Sequence, residues 1–159
     1  MKCNAQLLGQ LKHFVSKKCL NIDGFGEKQI IQFYNMNYIK NINDIFEIDK
    51  YKKEIIKLEG WGNLSFENLL KSINNSKNIK LDKFITSLGI RFVGETISRI
   101  LAKEFGDIKN FIKNSINKER LLLIDGIGPK AIESLIEFFS RKNNNLVVEK
   151  LIKKINIIN

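Results

Sequence analysis

The sequence predicts an all-α protein, one compact domain made of two paired halves. Three observations lead there. Apolar residues recur at helical spacing along the chain. The single proline, Pro129, stands where a helix would begin and its missing N–H costs nothing. A short glycine-containing segment repeats four times, and an amphipathic stretch follows each copy. The copies are Ile22-Asp23-Gly24-Phe25-Gly26, Leu58-Glu59-Gly60-Trp61-Gly62, Ile90-Arg91-Phe92-Val93-Gly94 and Ile124-Asp125-Gly126-Ile127-Gly128. Their last glycines are spaced by 36, 32 and 34 residues, the signature of a structural repeat.

The elements follow in order. An opening helix, Gln6–Val15, carries Leu7, Leu8, Leu11, Phe14 and Val15 on one side. After the first glycine segment, Ile30, Phe33 and Tyr34 form a stripe, and a short connecting helix is expected at Ile45–Ile48. The second segment leads into Phe66, Leu69, Leu70 and Ile73, with a polar break at Asn74–Asn78. The third stripe is looser: Ser98, Leu101 and Ala102 hold the equivalent positions, supported by Ile97 and Ile100. A connecting helix at Ile108–Ile112 precedes the fourth segment, whose helix presents Ile132, Leu135, Ile136 and Phe139. A second polar break at Asn143–Asn145 comes before a closing helix from about Leu146 to Ile155. No single repeat can bury its own stripe, so the repeats must pair. The resulting divisions are 1–16, a leading piece; 17–77, repeats one and two; and 78–159, repeats three and four with the closing helix.

Composition narrows the functional classes. The 159 residues carry a formal charge of +10, which favours an anionic partner. Of the 27 basic residues 23 are Lys, in a chain also rich in Asn and Ile. That is the pattern of AT-rich codon usage, so charge alone says less than its size suggests. Two cysteines, Cys3 and Cys19, form no CxxC pair and no disulfide framework, which fits a reduced, cytoplasmic setting. Apolar runs fall far short of the roughly 20 residues a membrane span requires, and no charged-then-apolar leader opens the chain.

The repeated segment is suited to phosphate. Glycines around a tight turn permit positive φ and remove the Cβ that would hold a phosphate away. The helix that follows leaves its first N–H groups without intrahelical acceptors, and its dipole favours an anion there. Such a hairpin reads backbone geometry and no base edges, so binding should be sequence-independent and salt-sensitive. The expected contacts are Gly24, Gly26, Gly60, Gly62, Gly94, Gly126 and Gly128, with Lys28 and Lys130 at helix entrances and Arg91 inside the third hairpin. Lys17, Lys18 and Arg99 lie near by in sequence. The residues between the glycines (Phe25, Trp61, Ile127) and their counterpart Val93 should point into the core. Asp23, Glu59 and Asp125 would repel phosphate and are expected to turn away or to bond within the hairpin. His13, the lone histidine, and Cys19 read as structural.

The segments resemble tandem helix-hairpin-helix motifs. Longer strings resemble bacterial NAD-dependent DNA ligases, in order: Cys3-Asn4-Ala5-Gln6-Leu7, His13-Phe14-Val15-Ser16, Ile22-Asp23-Gly24-Phe25-Gly26-Glu27-Lys28, Leu58-Glu59-Gly60-Trp61-Gly62 and Leu88-Gly89-Ile90-Arg91-Phe92-Val93-Gly94-Glu95. The resemblance covers nearly the whole chain and corresponds to the end of the ligase zinc finger followed by the helix-hairpin-helix domain. It implies a fragment that grips nicked double-stranded DNA across the minor groove, as a monomer, in DNA repair and replication. It also implies NAD, Mg and Zn for the parent enzyme and no cofactor here. Three positions depart from the family. Of four zinc cysteines only Cys3, the last ligand, has a match. The second hairpin continues Gly62-Asn63-Leu64-Ser65-Phe66, without the usual lysine. In the third, Phe92 stands where the other hairpins have their first glycine.

The fragment itself is not expected to be catalytic. The adenylated lysine of ligases sits in Lys-x-Asp-Gly, whereas Asp23-Gly24 follows Asn21-Ile22 and Asp125-Gly126 follows Leu123-Ile124. A glycosylase of the helix-hairpin-helix class would need a catalytic Asp some twenty residues past a hairpin. Asp44 comes near that distance from Lys28 but in an unrelated context, and Lys130 has no such partner. Two other readings stay open from sequence: a double helix-hairpin-helix module of another repair or junction-binding protein, and a helical protein-interaction module.

Overall fold

A computed structural model describes residues 4–159. The chain is mostly helical and divides into two compact units, Met1–Lys77 and Asn78–Asn159.

The first unit runs α1 (Asn4–Val15), α2 (Glu27–Asn35), a 3₁₀ segment (Ile42–Tyr51), α3 (Lys52–Ile55) and α4 (Asn63–Ser76). The short connecting helix expected at Ile45–Ile48 lies inside the longer 3₁₀ segment. Asn41 and Asp44 start that segment with a reciprocal cap. The Asn43 amide donates to Asn41 Oδ1 at 2.9 Å, and the Lys40 amide to Asp44 Oδ2 at 2.8 Å. Asp44 is thus engaged as a cap. Phe33 anchors the unit's core. Its fully buried ring meets Phe25, Tyr38 and Trp61 at centroid distances of 5.6, 5.9 and 5.2 Å. Each such burial stabilises by about 1.5–3 kcal/mol.

The second unit runs β1 (Asn78–Lys80), α5 (Leu81–Ser87), α6 (Glu95–Phe105), α7 (Ile108–Asn114), α8 (Lys118–Leu122), α9 (Pro129–Ser140), α10 (Lys142–Lys154) and β2 (Asn156–Ile158). Phe111 is fully buried and meets Phe139 edge-on at 5.6 Å. Pro129 opens α9. The strands form a two-stranded parallel sheet in register Asn78↔Asn156, Ile79↔Ile157 and Lys80↔Ile158, the one sheet among the described residues.

The polar breaks lie elsewhere than expected. Asn74 and Asn75 remain in α4, which ends at Ser76. Asn143–Asn145 belong to α10, and the break contracts to one extended residue, Arg141, at φ −85° and ψ 122°. The asparagines are tolerated because they serve the preceding helix. Asn144 Nδ2 donates to the Phe138 carbonyl at 3.0 Å and Asn145 Nδ2 to the Phe139 carbonyl at 2.6 Å, which satisfies α9's C-terminal acceptors.

Candidate nucleic-acid interface

The four glycine segments share one backbone form. The first position of each turn is left-handed: Gly24 at φ +82°, Gly60 at +83°, Gly126 at +92° and, in the third hairpin, Phe92 at +65°. A left-handed residue with a Cβ costs about 1–2 kcal/mol, so Phe92 holds this conformation against its preference. The second position behaves differently from expectation. Gly26, Gly62, Gly94 and Gly128 are extended, with φ of −79°, −160°, −89° and −83°, a conformation open to any residue. A Cβ built at Gly62, Gly94 or Gly128 meets nothing within 4 Å; at Gly26 it comes 3.0 Å from the end of the Gln29 side chain. At three of the four hairpins, then, neither backbone strain nor internal packing calls for the second glycine. Each second glycine caps the helix that follows, α2, α4, α6 or α9, and faces that helix's unbonded amides.

The residues that follow the turn residue fasten the hairpins unequally. Phe25 and Val93 are buried, as expected. Trp61 and Ile127 are only half-buried. Trp61 stays at the surface because its indole N–H is satisfied there, donating to Gln32 Oε1 at 3.1 Å while the ring packs on Phe33.

In the first unit, hairpins one and two line a groove of about 450 Å³ with Gly24, Lys28, Gly60 and Trp61. Asp23 and Glu59 line it too, exposed rather than turned away. Two further groups reduce its pull on an anion. Glu27, first residue of α2, pairs with Lys12 at 2.8 Å, and the Lys12 ammonium holds its carboxyl below the usual carboxylate range. The Gly62 amide donates to Ser65 Oγ at 2.9 Å, so one hairpin donor is already bonded within the chain. Nothing in residue type alone singles out Ser65; the Gly-x-x-Ser spacing of a helix cap is the signal that finds it.

In the second unit, side chains of hairpins three and four meet. The Arg91 guanidinium lies 5.0 Å from the centroid of Phe92, and Lys130 Nζ lies 5.4 Å from the same centroid. Among the described residues Arg91, Lys130 and Lys28 enter no ion pair, whereas Arg120 and Arg141 are bridged to Glu104 and Glu137 at 2.7 Å. Gly126 packs closely as well: a Cβ there would stand 2.9 Å from Ile100 Cδ1. Asp125 is exposed. Lys17, Lys18 and Arg99 are exposed, and Arg99 reaches Thr96 Oγ1 at 3.4 Å.

The remaining polar residues read as structural. Cys19 is buried with its Sγ 3.4 Å from His13 Nε2. Cys3 lies outside the described residues. Among the described residues no three metal-binding side chains converge. No helix among them is long and apolar enough to cross a membrane.

Comparison with known proteins agrees with this geometry. Residues 83–148, which contain the third and fourth hairpins, match the model of the helix-hairpin-helix motif. The DNA ligase of Ehrlichia chaffeensis is 44% identical over 98% of this chain and 24% of its own length. The DNA ligase of Wolbachia pipientis wMel is 44% identical over 89% of this chain and 22% of its own. That of Pelagibacter ubique is 42% identical over 97% and 23%. The chain spans about a quarter of the length of these curated relatives. By sequence and fold, then, the chain is a mostly helical segment, carrying a helix-hairpin-helix motif, that is homologous to about a quarter of a DNA ligase.

Proposed function

We propose that the chain binds duplex DNA without regard to sequence, through hairpin amides to phosphates, as the DNA-gripping part of a ligase that seals nicks using NAD. One observation carries the reading. Gly62, Gly94 and Gly128 stand where the chain itself has no need of glycine, each before first-turn helix amides that have no intrahelical acceptor, which in α9 are those of Lys130 and Ala131 because Pro129 has none. A residue kept small for no internal reason leaves room for something outside, and phosphate is what helix-start amides favour. The ligase relatives and the charge of +10 support the same partner. Gly24, Gly26, Gly60, Gly62, Gly94, Gly126 and Gly128 supply the backbone contacts, and Lys28, Arg91 and Lys130 add charge. The chain holds no Lys-x-Asp-Gly, so adenylation falls to other parts of the parent, where NAD, Mg and Zn would also bind. A cytoplasmic monomer on nicked duplex, across the minor groove, is the arrangement we favour.

The test is a titration against nicked and intact duplexes of unrelated sequence at several salt concentrations. Affinity should rise steeply as salt falls and be indifferent to sequence. Gly128→Val should weaken binding several-fold on every duplex, with a stability cost of only about 1 kcal/mol, since its Cβ meets no neighbour. Absence of binding at low salt, or binding indifferent to salt, would sink the proposal.

A further inference from the structure

The inference concerns Phe92 and rests on the DNA-binding reading. Phe92 occupies the left-handed position that three sister hairpins fill with glycine, and it does so 48% exposed. Packing within the chain does not account for it. A buried ring could offset backbone strain by leaving water, but this one leaves half its surface in solvent. What it touches is informative. Arg91 from its own hairpin and Lys130 from the next both hold their charges over the ring, so the two hairpins present an apolar plate flanked by two cations. Neither cation is neutralised by a carboxylate among the described residues.

A nucleic-acid backbone has the complementary order: phosphate, apolar sugar face, phosphate. We infer that Phe92 is itself a DNA-contacting residue, its ring resting on a deoxyribose while Arg91 and Lys130 take the phosphates that flank that sugar. The contact adds shape and apolar area to hairpin three, where a glycine amide is all the other hairpins offer at that position. It carries no base specificity, in keeping with recognition of the backbone alone.

The experiment uses the whole chain, a nicked duplex, and two variants. Phe92→Gly removes the ring and also relieves the left-handed strain, so it should fold at least as well as the wild type. Phe92→Ala removes the ring and keeps the strain. Both should lose five- to tenfold in affinity at fixed salt, with the slope of log affinity against log salt unchanged because both cations remain. Phe92→Gly binding as tightly as the wild type would overturn the inference while leaving the DNA-binding reading intact. A loss in Phe92→Ala alone marks strain rather than contact and also overturns it. So does a slope smaller by one or more in both variants, since the ring would then act only through its cations. A wild-type chain that binds no duplex at low salt overturns this inference and the DNA-binding reading together.

Discussion

Hairpins one and two, in the first unit, and hairpins three and four, in the second, share a turn geometry but differ in what surrounds it. The first pair is nearly self-satisfied: Asp23 and Glu59 line its groove, Glu27 stands paired at one helix start, and Ser65 already accepts a hairpin amide. The second pair leaves Arg91 and Lys130 over one exposed ring, with no carboxylate partner among the described residues. All four arginines of the chain, Arg91, Arg99, Arg120 and Arg141, are also in the second unit. The difference teaches that the repeated backbone is a scaffold and that its affinity for an anion is set by the neighbours. In the proposed function the second pair carries the greater share of the grip.

Three sets of substitutions test that contrast. The largest effect is structural. Gly126→Ala should cost about 1–3 kcal/mol, left-handed strain plus a small shift of the Ile100 methyl, whereas Gly60→Ala, with open space around it, should cost the strain alone, about 1–2 kcal/mol. Thermal denaturation of both variants checks this, and equal losses would mean that the second hairpin pair is no more tightly built. Next comes binding. Arg91→Ala with Lys130→Ala should lower duplex affinity about tenfold and reduce the salt slope by about two, while Lys28→Ala, beside Asp23 and Glu59, should change the slope by well under one. A Lys28 effect as large as the double variant's would erase the distinction. The smallest effect concerns Ser98, whose buried hydroxyl finds no partner at a position filled by Ile30, Phe66 and Ile132 in the other repeats. Ser98→Ala should raise stability by about 1 kcal/mol in chemical denaturation; a loss would show that the hydroxyl is bonded after all.

Much of the helical architecture is legible in the sequence, because stripes such as Ile30–Phe33 and Ile132–Leu135–Phe139 state both a helix and its buried face. The glycine turns are legible as well, but not that only the first position of each is left-handed or that Phe92 adopts the same form. What escapes sequence reasoning depends on partners distant in the chain or on a choice between equal options. The parallel pairing of Asn78–Lys80 with Asn156–Ile158 joins segments too short to show a strand period. Asn144 and Asn145 favour a break by composition, and their bonds to the Phe138 and Phe139 carbonyls decide for a helix. The candidate interface shows the same limit. The hairpins can be found by spacing, but Asp23 and Glu59 lining the groove, and Lys130 meeting Phe92 across 38 residues, require the fold.

The small sheet has a mechanical consequence. By pairing the first three residues of the second unit with 156–158 it closes that stretch of chain into a loop held shut by backbone bonds. Such a clasp narrows the freedom of both ends at once. Pulling on either strand loads the other directly rather than first unravelling α10. The last residues therefore act as a fastening of the unit, and deleting 156–158 should release its start as well as its end.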